Sequence, residues 1–150
     1  MRKGTYVLAV FLDEPFEGRV GSLGDITLDQ GMYCYVGSAM NGLDQRIGRH
    51  LSRDKVMRWH IDRLTSAAER AEAYESYPDC IPECRLAAAA VSCGMEPSLR
   101  GFGCSDCKCQ THLFKATPGS LRRLVSEAGL SAFTPGAPGH NGRELPPKHY

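Results

Sequence analysis

The chain has 150 residues, enough for one domain with its own core, and its apolar and charged fractions of 42% and 23% lie near the globular average. No segment approaches the roughly 18 apolar residues of a membrane span, and the first residues contain no signal-peptide cleavage pattern. We therefore expect a soluble, cytoplasmic protein without a membrane partner. A net charge of +1 does not by itself indicate a nucleic-acid partner.

The first third of the chain predicts an antiparallel sheet. Gly4 to Leu12 is a mostly apolar run of strand-forming residues that stops at an acidic segment and Pro15. Two short runs, Arg19 to Leu23 and Asp25 to Leu28, indicate a hairpin around Gly24. A further strand is expected from Met32 to Val36, ending at Gly37.

The hydrophobic period then changes to that of helices. Leu43, Ile47 and Leu51 recur every four residues, which predicts a helix with Arg46, Arg49 and His50 on a neighbouring face. The expected later elements are a helix from Lys55 to Ser66, a strand from Ala71 to Tyr74, a helix from Ile81 to Cys93, a strand from Thr111 to Lys115 and a helix over 119–130. The predicted fold class is α/β of the α+β type, a small antiparallel sheet flanked by helices.

The C-terminal segment differs in composition from the rest. Residues 134–150 contain four prolines, three glycines and almost no apolar side chains, too little to offset the entropy of ordering. We expect a single domain over 1–133 followed by a disordered tail.

Basic residues are concentrated in one stretch, where six of them stand against three acidic residues between Asp44 and Arg63. This predicts a local cationic surface for nucleic-acid binding, although an ordinary solvated helix face has the same pattern. The candidate binding residues are Arg46, Arg49, Arg53, Lys55, Arg58 and His60.

Two tripeptides, Gly4-Thr5-Tyr6 and Tyr35-Val36-Gly37, are followed by Arg46 on the next predicted helix. This order resembles the GIY-YIG nuclease superfamily, and the match from residue 4 to about 114 is most similar to its small stand-alone Uri-type branch. The segments that carry this closer resemblance are Arg58-Trp59-His60-Ile61-Asp62, Glu83-Cys84-Arg85-Leu86 and Gly101-Phe102-Gly103-Cys104-Ser105-Asp106-Cys107. The two tripeptides are farther apart than is usual in the superfamily, which requires the extra hairpin.

The resemblance implies a metal-dependent endonuclease, with DNA favoured over RNA as its substrate. It assigns Tyr6 to water activation, Arg46 to the phosphate and Glu83 to a Mg²⁺ or Mn²⁺ ion. Tyr35 would contact the phosphate or support Tyr6, and His50, on the face of Arg46, is a candidate for phosphate contact or proton transfer. Buried tyrosines with structural roles and a module of the same fold that binds nucleic acid without cutting it are the alternatives.

Seven cysteines, three of them within 104–109, do not form a spaced disulfide framework. Cys104, Cys107, Cys109 and His112 have ligand types that suit zinc, but four ligands within nine residues leave little chain to surround an ion. Reduced packing cysteines, a substrate loop and a zinc or thiol-redox protein centred on this cluster remain open interpretations.

Overall fold

A computed structural model describes residues 2–20, 23–39, 42–52, 60–78, 80–99, 102 and 111–133, with residue 60 described by its backbone only. These residues form an α+β domain, which confirms the predicted fold class. The main sheet has six strands within the described residues: β1 (Gly4–Leu12), β4 (Gly31–Ala39), β5 (Arg70–Ser76), β6 (Glu96–Pro97), β7 (Leu113–Ala116) and β8 (Ser131–Ala132).

The two predicted motif strands are neighbours at the centre of this sheet. The strand order is β6-β7-β4-β1-β5-β8, and each neighbouring pair is antiparallel. The register between β1 and β4 places Tyr6 opposite Gly37 and Leu8 opposite Tyr35. The side chains of both motif tyrosines therefore lie on the same face of the sheet.

The extra hairpin connects β1 to β4 and forms a two-stranded sheet of β2 (Phe16–Arg19) and β3 (Asp25–Leu28). Its first strand lies earlier than the predicted run from Arg19 to Leu23. The amide of Leu23 donates to the carbonyl of Val20, and the amide of Val20 donates to the carbonyl of Gly24, so neither Val20 nor Leu23 belongs to a strand. Gly24 adopts a φ of 77°, which only glycine tolerates easily.

Helices cover both faces of the sheet. The helices α1 (Leu43–Leu51) and α2 (His60–Ala67) contribute to a core with Tyr6, Leu8 and Val10 of β1. The helices α3 (Glu83–Ser92) and α4 (Pro118–Ala128) contribute to a second core with Val7 and Ala9. The alternation along β1 thus explains its apolar run, since both of its faces are buried.

No helix in the described ranges is long and apolar enough to cross a membrane.

The predicted C-terminal helix is present, and it begins at Pro118 because Thr117 caps it: the Thr117 hydroxyl accepts from the Ser120 amide at 3.0 Å. Residues 134–150 lie outside the described part of the chain, so the disordered tail stays a prediction.

Candidate functional site

The site is built around Tyr6, whose ring lies directly over the backbone of Gly37. A Cβ atom at position 37 would overlap the Cζ and Oη atoms of Tyr6 and lie 2.9 Å from Cε1. Gly4 has a similar role two residues earlier, because a Cβ atom there would lie 2.6 Å from the carbonyl oxygen of Ser76. Gly37 therefore gives room for the ring of Tyr6, and Gly4 allows the close approach of β5.

The hydroxyl of Tyr6 lies 2.6 Å from Nε2 of His50, a hydrogen bond between β1 and α1. Both side chains are buried, with Tyr6 only 1% exposed. Tyr35 completes an aromatic group, with its ring centroid 6.3 Å from that of Tyr6 and 6.2 Å from that of His50. The four-residue helical spacing that places His50 beside Arg46 therefore brings an imidazole onto the first motif tyrosine.

Burial raises the pKa of the Tyr6 phenol above its ordinary value, and the neighbouring Tyr35 adds to this effect. The positive charge and hydrogen bond of Arg46 oppose the rise, and the negative charge of Glu83 reinforces it. Tyr6 is therefore a neutral phenol at physiological pH, and its hydroxyl shares a hydrogen bond with Nε2 of His50. The charges of Arg46 and Glu83 therefore shift the pKa of Tyr6 in opposite directions.

Arg46 is partly exposed and is oriented by a hydrogen bond from Nη1 to the carbonyl oxygen of Ser38, 2.9 Å away at the end of β4. The helix that carries it is fixed to the sheet by Arg2. The Arg2 guanidinium binds the carboxylates of Asp44 and Glu75, and the Arg2 carbonyl accepts the Leu43 amide at 2.7 Å. These contacts hold the first turn of α1 against β5.

Arg49 is engaged within the domain. Its guanidinium forms two hydrogen bonds with the Asp62 carboxylate, at 2.8 and 3.0 Å, and so joins α1 to α2. Asp62 is fully buried, and its Oδ1 atom lies 4.0 Å from Nδ1 of His50. A buried negative charge therefore lies behind the histidine that contacts Tyr6.

Glu83 begins α3, which packs on the face of the sheet opposite α1. Its Oε2 atom lies 3.3 Å from Nδ1 of His112, and its side chain is 30% exposed. The buried His112 lies just before β7, where its carbonyl oxygen accepts the amide of Val36 at 2.9 Å. This backbone contact places His112 beside the Tyr35-Val36-Gly37 tripeptide.

The described residues contain no group of three or more histidine, cysteine, aspartate or glutamate side chains that could hold a metal ion. A single accessible carboxylate nevertheless fits an ion such as Mg²⁺, which keeps several waters and takes further oxygens from a substrate. Glu83 meets this requirement, because it is partly exposed and its charge acts on the Tyr6 phenol.

The structure brings Tyr6, Tyr35 and His50 into contact, and Arg46 and Glu83 act on the Tyr6 phenol through their charges. Arg49 belongs to the ion pair with Asp62, and His112 contacts Glu83. The other candidates lie outside the described residues: Arg53, Lys55, Arg58, the side chain of His60, Cys104, Cys107 and Cys109. Of the described cysteines, Cys34, Cys80, Cys84 and Cys93 are free thiols.

Two contacts of the site had no local signal in the sequence. Arg2 is 42 residues from Asp44 and 73 from Glu75, and its position beside Met1 resembles an ordinary charged terminus. His112 follows the cysteine cluster, and this proximity favoured a zinc ligand over a partner for Glu83. Only the sheet topology, with β7 beside β4, shows where His112 lies.

Fold and site together define an α+β domain in which a buried tyrosine and a buried histidine are hydrogen-bonded, and the charges of a partly exposed arginine and glutamate act on the phenol. Residues 5–132 match the family model described as "Domain of unknown function DUF123", and the chain belongs to this family. No curated protein and no solved structure matches the chain.

Proposed function

We propose that this protein is a metal-dependent endonuclease that hydrolyses phosphodiester bonds of nucleic acid, with DNA as the favoured substrate. One observation carries the proposal: the Tyr6 hydroxyl is hydrogen-bonded to His50 at 2.6 Å while the charges of Arg46 and Glu83 both act on it. The resemblance to the GIY-YIG superfamily, which rests on the two tripeptides and Arg46, supports the same function.

Hydrolysis of a phosphodiester requires activation of water and stabilisation of negative charge on the phosphate. In the proposed reaction, Tyr6 transfers its proton to Nε2 of His50 as its Oη atom takes a proton from the attacking water. The hydroxide forms the new bond to phosphorus and the bond to the leaving oxygen breaks; the leaving alkoxide takes a proton from solvent, and His50 later releases its extra proton to solvent. The imidazolium formed on His50 is stabilised by the buried Asp62 carboxylate, 4.0 Å from Nδ1.

Arg46 and Glu83 are the partly exposed groups that a substrate can reach. Arg46 carries a positive charge that stabilises the negative oxygens of the phosphate in the transition state. Glu83 would hold the divalent ion, which when bound supplies a Lewis acid for the phosphate oxygens. Tyr35, beside both Tyr6 and His50, keeps the phenol and the imidazole in place.

The burial of Tyr6 favours a second candidate, a module that binds nucleic acid without cutting it. A side chain that is 1% exposed and hydrogen-bonded to His50 has the properties of a structural core tyrosine. In that case Arg46 would contact phosphate, but no group would activate water. Cleavage of a nucleic-acid substrate therefore distinguishes the nuclease from the binding module.

The test is incubation of the purified protein with labelled DNA and RNA of single-stranded, double-stranded and branched structure, with Mg²⁺, with Mn²⁺ and with chelator. We expect metal-dependent cleavage. Arg46→Ala should reduce the rate a hundredfold to a thousandfold, about 2.7–4 kcal/mol of transition-state stabilisation. Glu83→Gln should abolish metal-dependent cleavage but retain binding, because binding depends mainly on cationic side chains.

Tyr6→Phe and Tyr33→Phe form a matched pair for the proton-transfer step. Each variant removes one hydroxyl from a buried tyrosine of the central strands, but the Tyr33 hydroxyl donates to the carbonyl oxygen of Asp29, at the other end of β4. Tyr6→Phe should therefore slow cleavage strongly, whereas Tyr33→Phe should not. Wild-type protein that binds the panel but cuts none of it with either metal would overturn the nuclease and support the binding module.

A further inference from the structure

The contact between Glu83 and His112 places a nitrogen ligand beside the proposed metal-binding carboxylate. Nδ1 of His112 is 3.3 Å from Oε2 of Glu83. The ring is only 1% exposed, and its backbone is fixed on both sides, since the His112 amide donates to the Phe102 carbonyl and the His112 carbonyl accepts the Val36 amide, each at 2.9 Å. The imidazole is therefore held in position rather than free to turn into solvent.

The separation of these two atoms suits two ligands of one ion. The 3.3 Å between them is slightly longer than the usual hydrogen bond from nitrogen to oxygen, which measures about 2.7–3.2 Å. A nitrogen and an oxygen 3.3 Å apart, each about 2.1 Å from a common ion, subtend an angle of about 104° at that ion. This value lies between those of octahedral and tetrahedral neighbours.

We infer that Glu83 and His112 together form the metal site, and that the ion is a first-row transition metal such as Mn²⁺ rather than Mg²⁺. Imidazole is a good ligand for transition metals, whereas Mg²⁺ is bound by carboxylates, carbonyls and water. This inference rests on the proposed function in taking Glu83 as the metal ligand. It assigns His112 to the same site as Glu83 rather than to the cysteine cluster.

The test is Mn²⁺ binding measured by electron paramagnetic resonance, with pulsed detection of nitrogen nuclei bound to the ion. Wild-type protein should show an imidazole ¹⁴N coupling that becomes a ¹⁵N coupling when histidine is ¹⁵N-labelled. His112→Gln should lose this coupling and bind Mn²⁺ about 10-fold to 100-fold more weakly, while its affinity for Mg²⁺ changes little. His50→Gln is the matched control and should retain the coupling.

The outcomes separate this inference from the proposed nuclease. Mn²⁺ that binds through Glu83 without any histidine nitrogen coupling overturns the inference but leaves the nuclease standing. A histidine coupling that depends on His112, in a protein that cuts no substrate, supports the site and overturns the nuclease. Because the labelled wild-type protein reports any histidine ligand directly, the absence of a coupling there overturns the inference even if His112→Gln fails to fold. A coupling that disappears in His50→Gln would also overturn the assignment.

Discussion

At the scale of single residues, the site depends on Gly37, which has no side chain. Tyr6 can reach His50 because Gly37, its partner across β1 and β4, leaves space for the phenol ring. Protein interiors are close-packed, so even one added methyl group must displace its neighbours. The glycine of the second tripeptide is therefore a steric requirement of the tyrosine of the first.

Gly37→Ala should destabilise the domain by about 1–3 kcal/mol, the usual cost of overpacking a core, and should displace Tyr6 from His50. Gly48→Ala is the matched control. A Cβ atom at position 48 meets nothing within 4 Å, and Gly48 lies inside α1, so this change should stabilise the protein by about 0.5–1 kcal/mol. Urea denaturation of both variants measures the difference. A Gly37→Ala variant as stable as the Gly48→Ala variant would show that the ring of Tyr6 adjusts without cost.

The sequence predicted those residues of the site whose position follows from local order. The first tripeptide begins β1, the second lies near the end of the neighbouring β4, and the helical period places Arg46 and His50 one turn apart on α1. It did not predict the contact of Glu83 with His112, which joins residues 29 positions apart in sequence through the arrangement of α3 and β7. Local periodicity contains no information on such distant pairs.

At the scale of elements, α1 and α2 are joined by the ion pair of Arg49 with Asp62. Asp62 is 0% exposed, whereas Arg49 is 22% exposed. Removing Arg49 leaves a buried carboxylate without its partner, which costs stability. Removing the charge of Asp62 leaves a partly exposed arginine, which can turn to water.

Arg49→Met should consequently destabilise the domain by about 3–5 kcal/mol, the usual cost of removing one partner of a buried pair. Asp62→Asn should destabilise it less. Arg123→Met is the matched control, because Arg123 and Glu127 form an exposed pair on α4 with 59% and 52% of their side chains accessible. Its effect should be far smaller, because an ion pair exposed to solvent contributes little to stability. Thermal unfolding of the three variants gives the order, and a control as damaging as Arg49→Met would contradict the special role of burial.

The elements themselves were predicted to different degrees. The strands β1 and β4 and the helix α1 have long, regular patterns, and the structure confirms them. The two-residue strands β6 and β8 were not predicted, since they exist only through pairing with β7 and β5. The sequence predicted the hairpin but placed its first strand too late in the chain. Val20 and Leu23 are typical strand residues, yet in the structure they lie at the turn.

At the scale of the whole molecule, the two buried faces of the central sheet enclose groups that titrate above neutral pH. Burial raises the pKa of the Cys34 thiol on β4 to about 12. Burial also raises the pKa of the Tyr6 phenol on β1, on the other face of the sheet. Each group is neutral in the folded protein at physiological pH, and its ionised form is disfavoured by the low polarity of the core.

The stability of the domain should therefore fall as the pH rises above about 8.5. In the unfolded chain cysteine ionises near pH 8.5 and tyrosine near pH 10, roughly, while the folded protein still holds both protons. The folded state then binds more protons than the unfolded state, and each such group lowers the free energy of unfolding by up to about 1.4 kcal/mol per pH unit. Below about pH 8.5 both states are protonated at these groups, and their contribution is constant.

Urea denaturation between pH 7.5 and pH 11 measures this slope. Cys34→Ala should be less stable than wild type at pH 7.5, because it removes a buried sulfur, but should lose stability less steeply between pH 9 and pH 11. Tyr6→Phe should reduce the slope only above about pH 10, where the tyrosine of the unfolded chain begins to ionise. If both variants lost stability with the slope of wild type, the alkaline transition would arise from other groups, and the buried core of β1 and β4 would not control it.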